Sequence, residues 1–161
     1  VLDWENLFKR YVWDDRTTPY FVPLSRLNRL QADNEILAYC LFLGVLFGVV
    51  ALTSLSDATP HGRSPFITLY AITVVLAAIT FGFAKTYYAA VYLSATPVAG
   101  LIYLLIYGFQ SDRHRIDTLL VIFLVLLMLW YSLRVIRLAR AYHSLPIPKG
   151  ETQPRRRLFK K

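Results

Sequence analysis

Charge is missing from four long stretches of this sequence. No Asp, Glu, Lys or Arg occurs from Ile36 to Leu55, from Phe66 to Ala84, from Tyr87 to Phe109 or from Thr118 to Leu133. Other residue types are scarce as well. With one cysteine, Cys40, the chain has no intrachain disulfide and no thiol cluster. Met128 is the one methionine, and His61, His114 and His143 all lie outside the uncharged runs. Haem, pigment or metal held at membrane depth draws on His, Met or carboxylate side chains, so no cofactor and no metal site is expected. No HExxH, no Gly-rich phosphate loop and no nucleophile with a positioned base is found. No catalytic residues are therefore assigned, and the chain is read as a non-enzyme. No apolar run occurs in the first 34 residues, so no signal peptide is expected within the chain as given. The first residue is Val1 and not Met, which points to trimming or to a partial sequence.

What is present is apolar: 56% of residues are hydrophobic and 17% are charged. A hydrocarbon layer about 30 Å thick needs roughly 20 helical residues, and each uncharged run approaches or exceeds that with its flanks. One such helix can be buried in a soluble protein. Four would leave little polar surface for water. The expected fold is all-α and polytopic. It has four transmembrane helices at about 35–55, 66–84, 87–109 and 116–134, an N-terminal interfacial helix and a basic C-terminal helical extension. The expected organisation is an interfacial segment over 1–34, a membrane domain over 35–140 and a basic tail over 141–161. No stretch resembles a family that can be named.

The basic residues set the expected orientation. Both terminal segments and Lys85 hold 15 of the 18 Lys and Arg, and the other two loops hold Arg63, Arg113 and Arg115. Four crossings put the ends and the Lys85 turn on one side, which is therefore read as cytoplasmic. The short loops suit a bacterial inner (plasma) membrane, with an organellar inner membrane as the alternative.

Along the chain, Trp4, Leu7, Phe8 and Tyr11 form one helical stripe suited to the headgroup layer or to a partner protein. Ser25 is expected to cap a short helix bearing Leu27 and Leu30, and Asp33 or Asn34 to cap the first span. Gly44 and Gly48, one turn apart, permit close approach of another helix, within the chain or from another subunit. The turn at Lys85 is so short that spans two and three must form an antiparallel hairpin. Pro97 near the middle of span three cannot donate to the Leu93 carbonyl and should kink the helix, with Ser94 or Thr96 able to serve the freed group. Ala95 and Ala99, with Thr96 and Gly100, repeat the small-residue spacing, so Ala95, Pro97 and Gly100 join Gly44 and Gly48 as expected helix-packing positions. Span four runs on through Arg134, Arg137 and Arg140, which share one arc opposite Val135, Ile136 and Ala139. Its helix should stop before Pro146.

Asp112 to Arg115 mixes acid, base and imidazole, yet a polar turn between helices looks the same. Trp4, Phe8, Arg134, Arg137, Arg140, Arg155, Arg156 and Arg157 are expected to touch lipid or a partner. Clustered basic groups beside a membrane helix are drawn to anionic lipid by about 1 kcal/mol each. Nucleic acid is not expected as a partner. The expected function is a non-catalytic structural or accessory subunit of a larger integral-membrane complex, packing through its spans and clamping other subunits or anionic lipid with its cytoplasmic ends. The alternative is a small transporter or channel, homo-oligomeric or not. A lipid-facing enzyme or membrane-shaping protein is a third class.

Overall fold

A computed structural model describes residues 22–56, 63–107 and 115–147. Among them the regular structure is helical, with no strand. The α-helices are α1 (Arg29–Thr53), α2 (Pro65–Ala84), α3 (Tyr87–Ser94), α4 (Thr96–Tyr107) and α5 (Arg115–Ala141). Short 3-10 turns occupy Leu24–Arg26 and Tyr142–Ser144. Four helical segments are long and apolar enough to cross a membrane: Arg29–Thr53, Pro65–Ala84, Tyr87–Ile106 and Thr118–Ser144. This is a multi-pass helical membrane protein. The expected N-terminal interfacial helix and the tail beyond residue 147 lie outside the described residues.

The first helix begins earlier than expected, and the reason is local. The Gln31 backbone N–H donates to Asn28 Oδ1 at 2.9 Å, and the Asn28 N–H donates to Gln31 Oε1 at 3.0 Å. This is a reciprocal capping box, which satisfies two of the donors a helix start leaves open. Asp33 and Asn34 therefore sit inside α1 and do not cap it. Ser25 lies within a 3-10 turn and makes no cap either, and Leu30 belongs to α1.

The second helix opens on Pro65, whose missing N–H costs nothing in a first turn. It closes on Lys85, which adopts left-handed backbone geometry (φ 53°) while its N–H donates to Phe81 O at 3.0 Å. Glycine is the usual residue at such a terminus because a Cβ is disfavoured there. The Lys85 ammonium in turn donates to the Gly82 carbonyl. Two residues link α2 to α3, and the two helices pack as the expected hairpin.

Pro97 interrupts the third crossing. The helix breaks at Ala95, and Thr96 Oγ1 donates to Leu93 O at 2.8 Å, serving the carbonyl to which Pro97 cannot donate.

By packing, the described residues fall into two compact units, one around residues 22–35 and 141–147, the other spanning 36–140. In the larger unit the core occupies one half of the helices. Its buried residues are Ile36, Tyr39, Cys40 and Leu43 from α1, and Ala71, Val74, Ala78 and Phe81 from α2. The remaining helices add Ala90, Leu93 and Thr96, then Ser132, Val135, Leu138 and Ala139. Most of these lie toward the end that carries the Lys85 turn, while Ala71 sits nearer the Pro65 end of α2. Toward the opposite end, nothing is buried from Gly44 to Thr53 or from Thr118 to Tyr131. There α1 and α2 are tied at their ends instead, by Ser54 Oγ to Thr68 Oγ1 at 2.7 Å and the Ser64 N–H to Ser54 O at 3.0 Å.

Candidate functional site

Three places in the described residues carry more than generic helix packing. The first is a cleft in the open half of the larger unit. It has a volume of about 770 Å³ and runs between α1, α2 and α4. Phe47 and Val50 form one wall, with Tyr70 meeting Phe47 edge-on at 5.9 Å between ring centroids. Gly100, Tyr103 and Ile106 form the facing wall. A Cβ added at Gly100 would meet nothing within 4 Å, so this glycine leaves space that a larger residue would fill. The lining is mostly apolar; Tyr70 and Tyr103 carry phenol hydroxyls, and Thr53 and Ser64 lie toward one end. Arg63 precedes Ser64. It is exposed, and its Nε donates to Leu55 O at 3.0 Å.

The second is the glycine pair of α1. On a helical wheel Gly44 and Gly48 lie together with Leu41, Val45 and Leu52, on the side turned away from Leu46, Val50 and Thr53, which line the cleft. Leu41, Val45 and Leu52 are 66%, 61% and 73% exposed. A Cβ at Gly44 or Gly48 would meet nothing within 4 Å. The described part of the chain thus makes no close helix contact at this pair. Among the described residues no within-chain contact forms at this pair, because α1 turns its other side to the core. Of the further expected packing positions, Pro97 is buried, Ala95 is exposed and Gly100 borders the cleft.

The third is the smaller unit, where the chain after α5 passes the start of α1. The Arg29 guanidinium donates to two carbonyls, Nε to Leu145 O at 3.1 Å and Nη2 to His143 O at 2.7 Å. The Arg29 backbone N–H, one of the donors a helix start leaves unpaired, goes to Pro146 O at 3.0 Å. Tyr142 donates its hydroxyl to Asp33 Oδ1 at 2.8 Å. Carbonyl oxygens suit the positive end of the helix dipole. Glu35, the buried acidic residue of this unit, is 2% exposed.

Opposite the basic arc of α5, Val135 and Ala139 are buried as expected, but Ile136, expected with them, is half-buried and Leu138 is buried instead. On the arc, Arg137 and Arg140 are exposed and Arg134 half-buried. Arg140 also rests on Tyr87, with the guanidinium carbon 5.1 Å from the ring centroid and Nη2 donating to the hydroxyl at 3.1 Å. Trp4, Phe8, Arg155, Arg156 and Arg157 lie outside the described residues, as does Asp112 to His114.

Sequence reading missed Arg29, Asp33, Tyr87 and Tyr142 as contact-makers. The Asn28-x-x-Gln31 spacing was a usable signal for the first two, since it moves the helix start to Arg29. No sequence signal pairs Arg140 with Tyr87, 53 residues away. Among the described residues no group of three or more His, Cys, Asp or Glu is placed to hold a metal ion. Compared with family models, with curated proteins and with solved structures, the chain matches none.

Proposed function

We propose that this chain is a non-catalytic structural or accessory subunit of a larger integral-membrane complex. The observation that carries the reading is the unpartnered Gly44/Gly48 face of α1. Lipid tails are as apolar as leucine, so helices associate in a bilayer through close packing, and small residues are what permit it. A glycine pair costs helix stability relative to alanine, about 1 kcal/mol at each position. The described helices of this chain draw no close contact in return. A helix of another subunit seated on Gly44 and Gly48 accounts for both glycines.

On this reading the basic arc Arg134, Arg137 and Arg140 faces anionic headgroups or an acidic partner, on the side that also holds the termini. The basic bias makes that side the cytoplasm of a bacterial inner membrane, or the matrix-like side of an organellar one. The test is purification in mild detergent of the native chain beside a Gly44→Leu, Gly48→Leu variant. A co-purifying membrane subunit that is lost from the variant supports the reading, and a native chain that runs alone refutes it. Orientation is tested separately in a Cys40→Ala background. Single cysteines at Arg63 and Ser144 should label from opposite faces, Ser144 from the cytoplasmic one.

One feature favours a transporter instead, the helix break at Ala95 beside buried Pro97. Broken crossings build substrate sites in transporters. Here the Leu93 carbonyl next to the break is already bound by Thr96, which suits a packing role. Flux through reconstituted vesicles containing the purified chain alone would reverse that preference.

A further inference from the structure

The cleft between α1, α2 and α4 lies within membrane-spanning helices, so its occupant has to come from the bilayer. We propose that it seats one acyl chain of an anionic phospholipid, drawn from the leaflet opposite the termini, with the lipid phosphate at Arg63. This requires only that the helices span a membrane, and does not depend on the accessory-subunit reading.

The argument starts from what an unfilled cleft would lack. Phe47, Val50, Tyr70, Tyr103 and Ile106 face a space of about 770 Å³. Side chains lining a void forfeit dispersion contacts on that side, and the roughly two to four polar partners each water needs are limited here to the Tyr70 and Tyr103 hydroxyls. The volume is within the roughly 300–1,000 Å³ of ordinary small-ligand sites. Hydrocarbon is the filling that matches.

Polarity then sets which end is which. The apolar stretch spans from Leu46 to Thr53 along α1, about 10 Å at 1.5 Å per residue. It ends at the hydroxyls of Thr53 and Ser64. This is the profile of an amphiphile, with its tail inward and its head at the helix ends. Arg63 gives the head its charge. Its Nε is anchored on the Leu55 carbonyl, two residues beyond lining residue Thr53, and Arg63 itself directly precedes lining residue Ser64. Guanidinium is the side chain best matched to a phosphate.

A partner helix is the weaker occupant. Apart from Ala99 and Gly100, the cleft walls are mostly bulky Phe, Tyr, Leu and Ile side chains, whereas the glycine pair on the other side of α1 has small residues one turn apart on an open face. The walls α1 and α2 are also tied together at the open end by Ser54, Ser64 and Thr68.

The experiment uses the purified full chain in phosphatidylcholine vesicles containing a small fraction of probe lipid. The probe is phosphatidylglycerol or phosphatidylcholine with a photoactivatable diazirine on one acyl chain. Label should concentrate on peptides covering Leu46–Thr53 and Ala99–Ile106, with phosphatidylglycerol labelling more than phosphatidylcholine. Gly100→Leu should bring cleft labelling down to that of the lipid-facing surface around Leu127. Arg63→Gln should abolish the headgroup preference while leaving the tail in the cleft. Leu46→Trp fills the cleft from its other wall and should repeat the Gly100→Leu loss, so a fold defect in either variant does not blunt the test. Label spread evenly over lipid-facing helices, equal labelling by the two probes in the native chain, or cleft residues cross-linking to another polypeptide would each overturn the proposal.

Discussion

The hydroxyl of Thr96 stands in for the backbone N–H that Pro97 lacks, and this substitution is open to a quantitative test. Thr96 is 4% exposed and its Oγ1 lies 2.8 Å from Leu93 O. Thr96→Val keeps the shape and removes the donor. A net hydrogen bond is worth about 0.5–1.5 kcal/mol, and leaving a buried carbonyl short of a donor costs about 1–3 kcal/mol. Interhelical hydrogen bonds measured within membranes average about 0.6 kcal/mol, which pulls the expectation for Thr96→Val down to about 1 kcal/mol. In a Pro97→Ala background the restored N–H at position 97 can reach Leu93 O, and the same Thr96→Val change should then cost close to nothing. The coupling between the two positions is therefore expected at about 1 kcal/mol, well above the roughly 0.3–0.5 kcal/mol scatter of independent sites. Reversible unfolding of the four proteins in mixed micelles, followed by far-UV circular dichroism, gives the cycle. Equal losses from Thr96→Val in both backgrounds would show that the hydroxyl does not serve the carbonyl beside Pro97.

Three further outcomes follow from the packing. Tyr39 Oη is buried with no hydrogen-bond partner among the described residues, its ring 5.9 Å from that of Tyr131. Tyr39→Phe removes an unpaired buried hydroxyl and should raise stability by about 1 kcal/mol in the same unfolding assay, and destabilisation would mean the hydroxyl is bound. Asn28→Ala breaks the capping box and should cost about 1 kcal/mol, read as faster amide exchange at Arg29 to Ala32; unchanged exchange there contradicts the assignment. Arg29→Lys keeps the charge but loses the fork that reaches the His143 and Leu145 carbonyls, so amide exchange at Leu145 should quicken, and unchanged exchange there contradicts the clasp.

The four crossings were legible in the order of residues because the requirement is one-dimensional. A bilayer demands a certain length without charge, and the runs from Ile36, Phe66, Tyr87 and Thr118 meet it. The hairpin at Lys85 and the break at Pro97 were equally local, one fixed by loop length and the other by a missing N–H. The start of α1 was local too, and was misplaced only because Asp33 and Asn34 resemble caps more obviously than Asn28 with Gln31 does.

Which face of each helix packs was not legible. In a soluble bundle the polar side of a helix marks the exposed face. Here α1, α2 and α4 are apolar on every side, so Leu43 at 0% exposure and Leu46 at 40% look alike in sequence. Spacing alone put Gly44 and Gly48 forward as contact points, yet the fold turns α1 so that Ile36, Tyr39 and Leu43 meet the core and the glycines do not. The clasp of Arg29 on the His143 and Leu145 carbonyls joins positions more than 100 residues apart, and no local rule reaches that far. Length without charge determined that the chain carries four helices long and apolar enough to cross a membrane. Only the three-dimensional arrangement decided that most buried contacts gather toward the Lys85 end, with α1 and α2 held at the other end by Ser54, Ser64 and Thr68, since lipid rewards shape fit between helices and is indifferent to which apolar side chain it touches.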